Sequence, residues 1–175
     1  MFADQTDVNW IPPIGSQWAD IARQPRVPTP GVNQKRYVFG AADVHFGRVL
    51  WRVARRKRSR EFCKFLRQLL REMPDERIVL IVDNYSIHKT AAVDKVVQEA
   101  EGRLTLVFLP TYSPWLNSIE LLWRHAVRAV LNNHFYPSLK ATLRAVWAAF
   151  TQLAQRPDLV LQVLGADTKH LQALT

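Results

Sequence analysis

The spacing of hydrophobic positions changes several times along this chain, and each change marks an element. "KRYVFGAADV" (35–44) and "GRVLWRVA" (47–54) read as strands with "HFG" as the turn between them, which predicts an antiparallel pair. Phe62, Phe65, Leu66, Leu69, Leu70 and Met73 then recur at helical spacing, predicting an amphipathic helix over 59–73 that Pro74 and Asp75 end. "RIVLIVD" (77–83) is a continuous apolar run between turn signals, the pattern of a strand covered on both faces. A second helix follows over 89–100, closed by Gly102, and then a short buried strand, "LTLVFLP" (104–110), stopped by Pro110. Asn117 or Ser118 is placed to cap a third helix running to about Asn132, and Ser138 a fourth over 139–154. Residues 10–35, rich in proline, read as a loop, and Pro157 sets off a C-terminal helical tail. A strand–helix–strand unit such as 77–110 implies parallel pairing with a right-handed crossover. The sum is an α/β chain: a mixed sheet with helices on its faces.

Composition narrows the classes. The chain has 175 residues, 48% of them hydrophobic, which suits one domain with its own core. One cysteine, Cys63, excludes an internal disulfide and favours a reducing compartment. The longest aliphatic run, "IVLIV" (78–82), is far too short to span a membrane, and the first residues lack the pattern of a signal peptide. Twenty-four Lys and Arg against 15 Asp and Glu give a formal charge of +9, which favours a polyanionic partner, most often nucleic acid.

Two carboxylates draw attention by position. Asp83 ends the buried strand 77–83, where open α/β sheets gather functional groups; it is equally placed to make an ordinary turn with Asn84. Glu120 lies on the third helix at the margin of an apolar stripe made by Ile119, Leu122, Trp123, Ala126, Val127 and Val130; a first-turn carboxylate is also favourable for the helix alone. The intervening segment can carry the chain back beside Asp83. Two carboxylates brought close repel unless a cation separates them, and hard oxygen-binding Mg2+ ions suit that place.

"IVDNYSIHKT" and, downstream, "LVFLPTYSPWLNSIELLW" resemble the catalytic core of the mariner-like superfamily of DDE transposases, in its bacterial insertion-sequence branch. The resemblance identifies Asp83, Asn84 and His88 with the family's Asp-Asn pair and following His, and Glu120 with the Glu after an "LPxYSPxLNPIE" signature, Ser118 standing where the family usually has Pro. "FADQTDVNWIPPIGSQWA" resembles the segment of the first Asp, which makes that residue Asp4, with Gln5 in place of the commoner Glu.

The resemblance covers roughly residues 2–150 and implies a ribonuclease H-like mixed five-stranded sheet flanked by helices. Asp43 is a rival for the first carboxylate. In that fold three strands precede the first helix; Asp4 leaves room for all three, whereas Asp43 leaves one and is better read as a turn residue beside His45 and Gly47. The expected organisation is a catalytic domain over 1–155 and a tail over 156–175. With so few residues before Asp4, its strand is expected to be truncated and Asp4 poorly anchored.

The activity implied is Mg2+-dependent cleavage and strand transfer of DNA, with Asp4, Asp83 and Glu120 holding two ions, Mg2+ or Mn2+. The implied partners are transposon ends and target DNA, a second copy of the chain, and an upstream helix-turn-helix polypeptide; the implied location is the cytoplasm of a bacterium, at the nucleoid when on DNA. The alternative is an inactive remnant that binds DNA without sequence preference. "RVARRKRSR" (52–60) offers Arg52, Arg55, Arg56, Lys57, Arg58 and Arg60 to phosphates, unless it is only a solvated turn. His88 and Lys89 are candidates to touch DNA or orient substrate, or are simply the start of a helix. Trp115 is expected to anchor its loop in the core, with base stacking as the alternative, and Trp147 is expected in the core.

Overall fold

The computed structural model describes residues 1–166 apart from 17, 21, 22, 24, 25 and 112. Five strands form one sheet: β1 (Phe2–Asn9), β2 (Lys35–Ala42), β3 (Val49–Ala54), β4 (Ile78–Val82) and β5 (Leu104–Phe108), in the order β3-β2-β1-β4-β5. β1–β2 and β2–β3 are antiparallel, while β1–β4 and β4–β5 are parallel. Helix α1 (Ser59–Glu72) joins β3 to β4, and α2 (Ala91–Glu99) makes the β4–β5 crossover.

After β5 the chain forms one bent rod: α3 (Ile119–Leu122), a π-helical stretch (Trp123–Arg128) and α4 (Ala129–Leu131). Helices α5 (Leu139–Ala154) and α6 (Pro157–Leu164) follow. The expected tail therefore contains α6, and residues 167–175 of it lie outside the described residues.

Each face of the sheet carries a core. Phe62, Phe65, Leu66 and Leu69 of α1 pack with Val93 and Val96 of α2 over Ala3, Phe39, Ala41, Leu80 and Val82. On the other face Ile119, Leu122, Trp123, Val146, Phe150 and Val160 pack over Val8, Val38, Ala42 and Val49. The helical stripe read from the sequence over 59–73 is thus the buried face of α1. Ser138 caps α5 as expected, its Oγ accepting from the Ala141 amide at 3.1 Å. Neither Asn117 nor Ser118 caps α3 through its side chain. Ser118 is already helical, and the Asn117 Nδ2 is drawn instead to the Ala3 carbonyl at 3.2 Å, in the sheet.

Three expectations need correction. Asp4 is well anchored, because β1 pairs with β2 at eight successive positions from Phe2–Ala42 to Asn9–Lys35. Trp147 is 51% exposed and meets Trp51 edge-on at 5.4 Å, since α5 buries Val146 and Phe150 and leaves the next residue at its margin. Trp115 is 76% exposed on a short 3-10 turn (Pro114–Leu116), so it does not anchor the loop.

Gly40 sits opposite Asp4 in β2, and a Cβ there would lie 2.3 Å from Cη2 of the buried Trp123 ring. Neither the strand backbone nor the packed indole can give that distance away. Gly40→Ala is expected to destabilise the fold by about 1–3 kcal/mol, read from the urea midpoint, as overpacked cores do.

Candidate active site

Three parts of the fold converge at the carboxyl ends of the central strands. Asp4 comes from the middle of β1, Asp83 from the residue after β4, and Glu120 from the first turn of α3. All three line one cleft of about 300 Å³ with Asn84, Tyr85, Thr111, Ser113 and Asn117. A larger cavity, about 510 Å³, lies elsewhere, between the helices around His125, Leu153 and Leu159. The smaller cleft is the candidate site because it gathers the acids, and no Lys or Arg is among its described lining residues.

The carboxylates differ in setting. Asp4 is 7% exposed, and the Trp123 indole donates to it, Nε1 to Oδ2 at 3.4 Å. Burial, with the charges of Asp83 and Glu120 and a carboxyl contact from Glu120, outweighs the lowering effect of the Gln5 amide and pushes Asp4 up to about 7. Asp83 is half-exposed. Burial pushes its carboxyl upward too, but a hydrogen bond from His88 (Nδ1 to Oδ1, 2.9 Å), the Tyr85 amide (3.3 Å) and the Lys57 charge outweigh this and hold it below the usual range. Both contacts fall on Oδ1, leaving Oδ2 without a protein partner among the described residues.

Among the described residues no three His, Cys, Asp or Glu side chains are already gathered into a metal-holding cluster. The donor set nevertheless fits a hard divalent cation. It offers three carboxylates with no Lys or Arg among the described lining residues, and the buried Oδ1 atoms of Asn84 and Asn117, both on the lining, have no hydrogen-bond partner among the described residues. Orphaned carbonyl oxygens beside a carboxyl pushed to near neutrality mark a place that lacks positive charge.

Asp43 is not part of this site. Its Oδ2 pairs with Arg48 at 2.9 Å and its Oδ1 accepts the His45 amide at 2.9 Å, which makes it the turn residue the sequence suggested. His88 is not placed to touch DNA: its ring is fully buried, its centre 4.3 Å from that of Phe62 and tilted 45° to it, with both nitrogens taken by Asp83 and Gln5. Of the basic run, Lys57 Nζ lies 4.7 Å from the ring centre of Tyr85, a lining residue, whereas Lys89 Nζ lies 5.1 Å from that of Phe108, outside the lining. Arg55, Arg56, Arg58 and Arg60 are exposed, whereas Arg52 is partly buried and reaches Gln68 at 3.4 Å. Sequence reasoning missed Trp123, Asn117 and Gln5 as site residues; Trp123 read only as one of a helical apolar stripe.

Sheet order and flanking helices define a ribonuclease H-like fold. Residues 1–143 match the family model described as DDE superfamily endonuclease, and the chain belongs to that family. A protein of Shigella sonnei described as "Insertion element IS630 uncharacterized 39 kDa protein" is 34% identical over 146 residues, which is 83% of this chain and 42% of that protein. Among solved structures, the Mos1 transposase paired-end complex with left transposon end matches with a TM-score of 0.62 at 14% identity, covering 94% of this chain and 55% of that one. The Mos1 mariner paired end complex with Mn matches at 0.63 and 15% identity, over 94% and 55%. These likenesses carry the fold. The chain spans less than half the length of the curated relative, 42%.

The raised Asp4 value fixes a pH dependence. Its folded-state value, about 7, stands above the unfolded one, so the folded chain retains a proton that the unfolded chain releases. Without divalent cations, the Asp4 contribution to stability is expected to be full below about pH 4 and to fall as the pH rises toward 7, while Asp43, Glu76 and Asp83, held below the usual range, act in the opposite sense at the acid end. Asp4→Asn should flatten that slope. Urea midpoints measured in chelator across this range check both statements.

Proposed function

We propose that the chain is the catalytic part of a transposase that cleaves DNA at transposon ends and joins those ends to target DNA. The observation that supports this best is the cleft onto which Asp4, Asp83 and Glu120 all open. In this reading those three side chains hold two Mg2+ or Mn2+ ions, with the Asn84 and Asn117 oxygens available beside them. Bound divalent cations supply two things there: a lower pKa for a bound water or a DNA 3′-OH, and charge to stabilise the leaving 3′ oxygen.

The chain's own residues do the rest. Trp123 holds one oxygen of Asp4, while His88 and the Tyr85 amide hold one oxygen of Asp83. Arg55, Arg56, Lys57, Arg58, Arg60 and Lys89 meet phosphates on the approach to the cleft. Arg52, tied to Gln68, contributes less directly. Residues 1–155 act as the catalytic domain. End recognition comes from an upstream helix-turn-helix polypeptide, and two copies act on paired ends. The work is done on bacterial DNA, in the cytoplasm and at the nucleoid; among the described residues no helix is long and apolar enough to cross a membrane.

A second reading rests on the net charge of +9, which suffices to hold DNA without any chemistry. It is an inactive remnant that holds DNA by charge alone. Mg2+-dependent nicking separates the two readings. A terminal-repeat duplex should be nicked by the wild-type chain with Mg2+ or Mn2+, and Asp4→Ala, Asp83→Ala and Glu120→Ala should each fall to the metal-free background. Nicking that survives any of the three, or none by the wild type, counts against the active reading.

The basic run gives an independent measurement. Removing one phosphate-binding side chain should lower the slope of log affinity against log salt by about 1. Joint substitution of Arg55, Arg56 and Arg58 by Ala should therefore lower it by up to about 3, and equally for unrelated DNA sequences.

A further inference from the structure

β1 and β4 share one register pair, Phe2 with Ile81, whereas β1 and β2 share eight. Asp4 and Asp83 both lie beyond that single pair, where no backbone ladder holds the two central strands in step. A side chain does this instead. His88, on the 3-10 turn Ser86–His88 that follows β4, bridges the strands: Nδ1 lies 2.9 Å from Asp83 Oδ1 and Nε2 lies 2.9 Å from Gln5 Nε2. The ring is fully buried against Phe62, so its orientation is locked by packing.

A neutral imidazole carries one N–H. The Asp83 carboxylate can only accept, so the proton sits on Nδ1 and Nε2 must accept in turn. Gln5 is the residue that can donate there, and it does so at the cost of its own Oε1, which is buried without a partner. A buried amide placed with its oxygen unsatisfied is explained by what its nitrogen fixes.

We propose that His88, oriented by Gln5, is a positioning residue that sets the Asp83 carboxylate opposite Asp4 for cation binding. This rests on the reading of Asp83 as a cation ligand. Removing a partner behind a metal ligand typically weakens metal affinity about 10- to 100-fold.

The test is direct Mn2+ binding to the purified chain, read from the electron paramagnetic resonance signal of free Mn2+. His88→Phe keeps a ring against Phe62 but has no nitrogen, and should bind Mn2+ at least about 10-fold more weakly. His88→Asn places an amide nitrogen near the position of Nδ1 and should recover most of the affinity, which a merely structural role would not do. In wild-type protein without metal, 15N resonances of His88 should show the proton on Nδ1. Wild-type affinity in His88→Phe, no recovery in His88→Asn, or a neutral ring protonated on Nε2 each overturns the proposal. If His88→Phe does not fold, His88→Asn and the tautomer decide. No Mn2+ uptake by the wild type overturns the cation-ligand reading and this proposal together; uptake with His88→Phe unchanged overturns this proposal alone.

Discussion

A carboxylate in the middle of a buried central strand is the constraint around which this molecule is arranged. Transferring such a group from water is costly unless it is paired, and Asp4 has no Lys or Arg partner among the described residues lining its cleft. The chain meets this cost in part by protonation, the Asp4 value rising to about 7, and in part by the Trp123 N–H. Both remedies are incomplete. An indole donor at 3.4 Å is weak, and a proton is lost as the pH rises through neutrality. Asp83 and Glu120 add to the cost, since their charges raise the same carboxyl further. An arrangement that leaves so much negative charge uncompensated in one place is poor as scaffolding and suited to holding cations.

The surrounding packing keeps that arrangement from relaxing. Trp123 reaches Asp4 because Gly40, facing Asp4 across the strand pair, has no side chain in the way. The rod that presents the indole is π-helical from Trp123 onward, and single π-helical turns recur at functional sites because they re-aim side chains. Glu120 precedes this stretch and Trp123 begins it, so one element delivers both a carboxylate and the donor that braces its neighbour. Behind Asp83, the 3-10 turn and the N-terminal part of α1 lock His88 through Phe62. The cores on the two faces of the sheet therefore each fix a different acid: the α1–α2 side through His88, and the α3–α6 side through Trp123.

Much of the architecture was legible in the sequence because its elements are strongly periodic. α1 announced its buried face, whereas β4, read as covered on both faces, buries only Ile78, Leu80 and Val82 and leaves Val79 exposed, and β5, read as buried, exposes Val107 and Phe108, because a continuous apolar run does not say which face a helix covers. The five-stranded order rested on resemblance, since β1 carries Asp4, Gln5, Thr6 and Asp7 in succession and has no strand-like apolar pattern of its own. What the sequence could not show was long-range partnership. His88 in "YSIHKT" looks like a polar helix start, and its burial depends on Gln5, far away in the chain. Asn117 looks like a helix cap, and its amide is spent on Ala3 instead. Trp115 and Trp147 misled for the opposite reason. A tryptophan's size argues for burial, but a three-residue turn and the margin of a helix stripe place these two at the surface.

Charge placement gives the proposed chemistry an order of events. The chain carries a net +9, yet the cleft floor is acidic: no Lys or Arg is among its described lining residues, Lys57 stands over Tyr85 at the lining, and Arg55, Arg56, Arg58 and Arg60 beside it in the chain are exposed. A polyanion is therefore drawn to the rim and repelled from the floor. In the proposed reading, filling the floor with divalent cations reverses the second of these without altering the first. DNA held at the rim by phosphate contacts can then bring one phosphodiester down to the carboxylates. Attraction at the rim is long-ranged and weakened by salt, whereas the floor acts only at contact distance and in a less screened setting. Holding DNA and cutting it are thus assigned to different residues of the same face, with Lys57 touching both: it reaches Tyr85 on the lining, and its charge is among those that keep Asp83 ionised.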